Sequence, residues 1–173
     1  MTPTQSSPTK KLASRCTAQA HLPSPLGPIL LARTEAGLAG AWFEAQKWHP
    51  EPIAAPERPD DPLLQQAAEQ IAEYFAGTRS HFELPLDLHG TAFQRSVWQA
   101  LRGIEAGATQ SYAAIARSVG SPQAVRAVGA AVGRNPVSVI VPCHRVVGTD
   151  GSLTGYAGGL DRKRALLVLE GAL

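Results

Sequence analysis

Pro142-Cys143-His144-Arg145 concentrates more reactive chemistry than any other stretch of the chain, with a thiol, an imidazole and a guanidinium at consecutive positions. The thiolate is the reactive form of cysteine, and basic neighbours or a helix terminus stabilise it. A lone cysteine is ordinarily a small buried hydrophobe, so its surroundings carry the argument. The apolar, β-branched run 137–141 reads as a buried strand that ends at this thiol, and a glycine-rich loop follows over 148–159. A strand end opening into such a loop outlines a pocket, with Cys143 as its nucleophile. Side chains of neighbouring residues in an extended chain diverge. Proton transfer from Cys143 to His144 therefore needs either a bend in the backbone or a bridging water. His21, His49, His81 and His89 all fall in the first half without a recognisable motif and read as surface or structural residues.

The elements around this run set its position. Asn135-Pro136 ends a helix expected over 124–133, with Ser121 as its N-cap and Pro122 at its first position. A shorter helix over 112–119 stops at Gly120, and the two together have helix-turn-helix spacing. The second of them is rich in small residues (Ala124, Ala127, Gly129, Ala130, Ala131, Gly133), with Arg126 as its large charged side chain. Glycine within a helix costs about 1 kcal/mol against alanine, and a close approach by another helix or a nucleic-acid strand would offset it. Thr91 with Gln94 is a capping-box pattern ahead of the stripe Phe93, Val97, Trp98 and Leu101. In the first half, strands are expected over 17–22, 29–32 and 38–43, a loop over 47–61, and a helix capped by Asp61-Pro62 that runs to Gly77. Residues 78–90 read as a strand and a linker, and 1–14 as a flexible tail.

Composition narrows the class. The 173 residues are 44% hydrophobic and 17% charged, a folded composition. No apolar run suits a membrane span, and the polar, basic start lacks the apolar stretch of a signal peptide. Cys16 and Cys143 cannot form a disulfide framework, which fits a reducing cytoplasm. Residues 1–89 hold seven Lys and Arg against ten Asp and Glu, while 90–173 hold nine against four. The basic second half is the one suited to a polyanion.

The stretch Asn135-Pro136 … Pro142-Cys143-His144-Arg145-Val146-Val147 resembles the signature of the O6-alkylguanine-DNA alkyltransferases, or methylated-DNA–protein-cysteine methyltransferases. The resemblance extends through Phe93-Gln94, Val97-Trp98, Ser111-Tyr112, Ile115-Ala116, Arg126-Ala127-Val128-Gly129, Gly155-Tyr156-Ala157-Gly158-Gly159, Lys163, Leu166-Leu167 and Glu170, with a looser match in Ser24-Pro25-Leu26-Gly27 and Tyr74-Phe75-Ala76-Gly77. Glu105 and Ala113 stand where the family often has Pro and Gly, and neither departure touches the chemistry.

The resemblance implies direct, irreversible transfer of an alkyl group from O6-alkylguanine in double-stranded DNA to Cys143, by a protein spent after one event. O4-alkylthymine stays open as a second substrate. His144 would be the base acting through a water, and Glu170 would orient and charge its imidazole. Tyr112 would assist rotation of the base, Arg126 would fill the gap left behind, and Ala127, Gly129, Ala130 and Ser121 would meet DNA in the minor groove. Val146, Tyr156, Ala157, Gly158, Asn135 and Lys163 would form the substrate pocket. In detail, the Cys143 and Val146 carbonyls would receive the guanine amine and the Ala157 amide would face O6. The implied fold is α+β: a ribonuclease-H-like N-terminal domain with a small antiparallel sheet over 15–89, and a mostly helical C-terminal domain with a winged helix-turn-helix over 90–173. No cofactor is expected. No metal is expected either, since Cys16 alone cannot replace the two Cys and two His that some relatives use. A monomer is expected. A helix-turn-helix regulator with a silent Cys143, and a cysteine hydrolase, are the alternatives.

Overall fold

The structure, a computed structural model, describes residues 8–173. The part of the expected tail at 1–7 lies outside the described residues. The remainder of that tail is helical. The helix α1 spans Pro8–Arg15, and its Leu12 is buried against Leu30, Ala32, Ala39, Trp42 and Ile53. A single apolar anchor in a polar segment gives no periodicity to read, and tertiary packing decides the outcome.

Three strands then form an antiparallel meander in the order β1-β2-β3, with β1 at Ala18–Leu22, β2 at Ile29–Arg33 and β3 at Leu38–Phe43. Every residue of β3 is buried although β3 sits at the sheet edge. Its outer side is covered by two extended segments, which meet it through bridges at Leu38–Leu86 and Ala41–Val137. Covering an edge in this way removes a row of unpaired backbone groups. Residues 78–90 contribute only the Leu86 bridge, not the strand expected there. Gly40 has no Cβ because the Trp42 ring lies where one would go, 1.8 Å away.

The helix α2, Pro62–Phe75, starts on Asp61, whose carboxylate accepts from the Leu63 and Leu64 amides, and Pro62 follows at N1. It ends through Gly77 at φ 77°, with Gly77 N–H donating to Tyr74 O and Thr78 N–H to Glu73 O. That pairing satisfies orphan carbonyls of the last turn. The capping box at Thr91 and Gln94 is present and opens α3, Ala92–Leu101.

The helix-turn-helix comprises α4, Tyr112–Ser118, and α5, Val125–Gly133. A parallel pair, β4 (Gln110–Ser111) with β5 (Val146–Val147), links the approach to α4 with the chain beyond Cys143. The Trp98 indole on α3 donates to Ala131 O on α5 at 2.7 Å. Ser121 does not cap α5, whose N-cap is Ala124 without a side-chain bond. The Ser121 N–H ends α4 by donating to Ala116 O, and Ala124 N–H donates to Ser121 O, so a turn stands between Ser121 and the first residue of α5. The helix α6, Leu160–Leu169, closes the chain with Glu170 as its C-cap.

Replacing Asp61 by Ala removes the acceptor of the Leu63 and Leu64 amides and the Arg33 partner at 3.0 Å. Stability should fall by about 1–2 kcal/mol in urea unfolding. Burial pushes the Asp61 carboxyl up, but the Leu64 and Leu63 amides and Arg33 together hold it below its usual value. Its contribution is therefore present above the unfolded-state pKa and is lost as pH falls through the folded one. The Ala variant should show a smaller loss of stability on acidification than the parent.

Candidate active site

Residues 137–141 do not form the expected strand. Only Val137 bridges β3, with Ala41 N–H donating to Pro136 O and Ser138 N–H to Ala41 O, both at 2.9 Å. The run then folds back through turns, with Val139 at φ 72° and Val141 N–H bonded to Val137 O. Asn135 organises this knot. Its Oδ1 accepts from Val137 N–H at 3.0 Å, and its Nδ2 donates to Val141 O at 2.8 Å and to Cys143 Sγ at 3.1 Å. One buried amide side chain thus fixes the turn and holds the sulfur.

Cys143, His144 and Arg145 form a single 3-10 turn and are all buried. The bend replaces the extended geometry in which neighbouring side chains diverge. Burial pushes the Cys143 thiol up from its usual value, while the Asn135 donor and the Lys163 charge pull the other way and lose. The resting group is therefore a thiol.

Glu170 binds the turn from α6. Its Oε2 accepts from His144 Nε2 at 2.9 Å, from Arg145 Nη2 at 2.7 Å and from the Tyr74 hydroxyl at 2.7 Å, and its Oε1 accepts from Arg145 Nε at 2.9 Å. Burial alone would raise the Glu170 carboxyl, but Arg145, His144 and Tyr74 hold it down at about 2. An ionised carboxylate only accepts, so His144 carries its proton on Nε2 and presents Nδ1 as a basic lone pair. That Nδ1 is buried without a hydrogen-bond partner among the described residues. The Glu170 hydrogen bond holds the imidazole, and the surroundings work against its charged form. Burial lowers the His144 pKa, and the nearby Arg145 and Lys163 charges add to that against the pull of Glu170.

Lys163 is fully buried on α6, and its ammonium donates to the carbonyls of Val146, Thr154 and Gly155. Burial lowers it to about 8, against the attraction of Cys143. It therefore occupies the Val146 carbonyl assigned above to the guanine amine, and Val146 N–H likewise engages the Cys143 carbonyl. Each carbonyl retains a second lone pair. The Tyr112 hydroxyl donates to Thr154 O at 2.9 Å. The Tyr156 hydroxyl is buried beside the Cys143 sulfur and has no well-formed hydrogen bond among the described residues. A Cβ on Gly158 would lie 2.7 Å from the Tyr156 ring, which explains glycine there. The Ala157 carbonyl accepts from Lys47 N–H at 2.8 Å, tying this loop to the first half of the chain.

Tyr112, Gly129, Ala130, Tyr156 and Ala157 line one cavity of about 570 Å³, together with Lys47, Trp48, Val132, Gly133, Arg134, Thr154 and Gly155. Cavities of a few hundred Å³ hold compact organic ligands. Cys143 is not one of its walls; its residue is 3% exposed. Arg126, Ala127 and Ala130 are exposed on α5, while Ser121 sits apart in the turn before it. Sequence reading missed Tyr74 as a donor to Glu170, because its apolar helical spacing already accounted for it. It also missed Lys47, Trp48 and Arg134, which carry no motif.

Comparison with known proteins bears on both halves. Residues 92–172 match the family model described as the DNA-binding domain of 6-O-methylguanine DNA methyltransferase, and 19–88 match that of its ribonuclease-like domain. The methylated-DNA–protein-cysteine methyltransferase of Methanosarcina acetivorans is 48% identical over 86% of this chain and 95% of its own. The constitutive one of Bacillus subtilis is 45% identical over 84% and 89%. Among solved structures, Mycobacterium tuberculosis OGT in complex with DNA superposes with a TM-score of 0.84 at 44% identity, covering 90% of this chain and 93% of that one.

Glu170→Gln leaves the 7%-exposed Arg145 side chain without its counter-charge. Breaking a buried pair in this way should cost about 3–5 kcal/mol, visible as a lowered unfolding midpoint at neutral pH. The folded Glu170 pKa of about 2 lies below the unfolded value. Its contribution is therefore full above the unfolded pKa of about 4 and lost as pH falls toward the folded one. The parent and Gln variant should converge in stability across that acidic window.

Proposed function

The chain belongs to the methylated-DNA–protein-cysteine methyltransferase family, and from that premise we infer that it repairs DNA by taking the alkyl group of O6-alkylguanine onto Cys143. The observation that carries this reading is the Glu170–His144 pair. It leaves Nδ1 as the basic nitrogen one residue from the buried thiol.

An alkylated base is out of reach inside a duplex and must be extruded, at a cost of a few kcal/mol. The exposed face of α5 would sit in the minor groove, with Arg126 filling the vacated stack, and the base would enter the cavity between Tyr112 and Tyr156. The thiol proton passes through a bridging water to His144 Nδ1. The sulfur bonds to the alkyl carbon as the C–O6 bond breaks, and that electron pair leaves on the guanine oxygen. Tyr112, freed from Thr154, or the Ala157 amide stabilises this charge, and guanine then takes up a proton. The product is a thioether that neither His144 nor water cleaves, so each molecule acts once. The thiol resting state suits this order of events, since the proton leaves only when a substrate is present. The protein is read as a cytosolic monomer.

Mixing the protein with a duplex carrying O6-methylguanine should add the mass of one methylene group to the chain, on the peptide containing Cys143. Cys143→Ser should show no gain while binding the duplex with affinity within about twofold of the parent, because a hydroxyl is far less acidic than a thiol. A mass gain that persists through Cys16 would overturn the assignment.

Arg126→Ala should slow transfer from duplex DNA by at least about tenfold and leave reaction with free O6-benzylguanine near the parental rate, since the free base needs no extrusion. Equal losses on both substrates would place Arg126 in the pocket's service instead.

A further inference from the structure

The cavity has an outer wall that the transfer chemistry does not use. Trp48 is 46% exposed on the loop after β3. The Arg134 guanidinium lies 3.4 Å from its ring centroid and the Lys47 ammonium 5.2 Å. Arg134 follows α5, whereas Lys47 and Trp48 belong to the other half of the molecule. Both cations are exposed and neither has a carboxylate partner among the described residues. Trp48 also has φ 62°, in the left-handed region that a bulky side chain rarely adopts. The loop is held in place regardless: the buried Gln46 Oε1 accepts from Phe43 N–H at 2.8 Å, and Lys47 N–H donates to Ala157 O at 2.8 Å.

Two uncompensated cations bracketing an exposed indole favour an anion joined to a flat group. A stacked guanidinium keeps its N–H edge free for bidentate contact with phosphate. Aromatic faces beside a cationic groove are how proteins hold displaced nucleotide strands. All three residues line the same cavity as Tyr112, Gly129 and Ala130. A strand whose base turns inward there passes this wall.

We propose that Lys47, Trp48 and Arg134 form a second DNA contact, which grips a backbone phosphate of the lesion strand beside the extruded nucleotide and stacks on the sugar and base next to it. The interface thereby extends from the helix-turn-helix to the acidic first half of the chain, where net charge argues against it. The proposal rests on DNA being the carrier of the substrate, as inferred above.

The test measures affinity for a short unmodified duplex across a salt series, together with transfer rates from lesion duplex and from free O6-benzylguanine. Arg134→Ala and Lys47→Ala should each reduce the slope of log affinity against log salt by about 0.7–0.9, the share of one phosphate contact. Trp48→Gly relieves the positive φ, so its unfolding midpoint should hold or rise while duplex affinity falls roughly tenfold. Free-base reaction should fall by far less than duplex reaction in all three. Unchanged affinity and slope would overturn the proposal. So would equal loss on duplex and free base, which would make the trio serve the base and not the strand. Loss of duplex affinity in variants of a chain that transfers no alkyl group would support this contact while removing the proposed function.

Discussion

A buried carboxylate must be matched by donors or the fold cannot hold it charged. Glu170 is matched three times over, by a histidine and an arginine on the nucleophile's own turn and by a tyrosine from α2 in the other half. Each of these contacts places something else. The arginine ties the 3-10 turn to Glu170 and to the Ile104 carbonyl, the histidine contact selects a tautomer, and the tyrosine fastens the first half of the chain to the last helix. Ending α6 at Glu170 is part of the same arrangement, because Gly171 and Ala172 donate back to Val168 O and Leu167 O and stop the helix at that residue.

A second constraint runs through the sheet edge. The chain that leads to the thiol is docked on β3 by two backbone hydrogen bonds through Pro136 and Ser138, and Asn135 then turns it inward. The N-terminal sheet is thus the floor on which the reactive turn is assembled. This explains why a strand at the edge is buried along its whole length.

What could be read from the sequence divides along physical lines. Asp61-Pro62 and the Thr91–Gln94 pair are local signals whose partners lie within three residues, and both hold in the structure. The run 137–141 is buried as expected but is not a strand. An apolar run lacks the alternation that separates strand from buried turn, and the deciding bonds come from an asparagine outside it. Ser121 fails as a cap because a turn separates it from α5: Ala124 N–H donates to Ser121 O, and the helix starts only at Val125. The pairing of Glu170 with Arg145 and Tyr74 spans 25 and 96 residues, beyond any local rule. The reactive run itself was legible because its residue types are rare side by side.

His144 has no exposed surface at all. A catalyst that cycles must discharge the proton its base accepts, and a sealed imidazole would make each round wait for the fold to breathe. A reagent consumed on first use carries no such obligation. Selection on this site can favour a tight, pre-set geometry without provision for resetting it, so the measure of fitness becomes the speed of one encounter and the number of copies a cell keeps in stock.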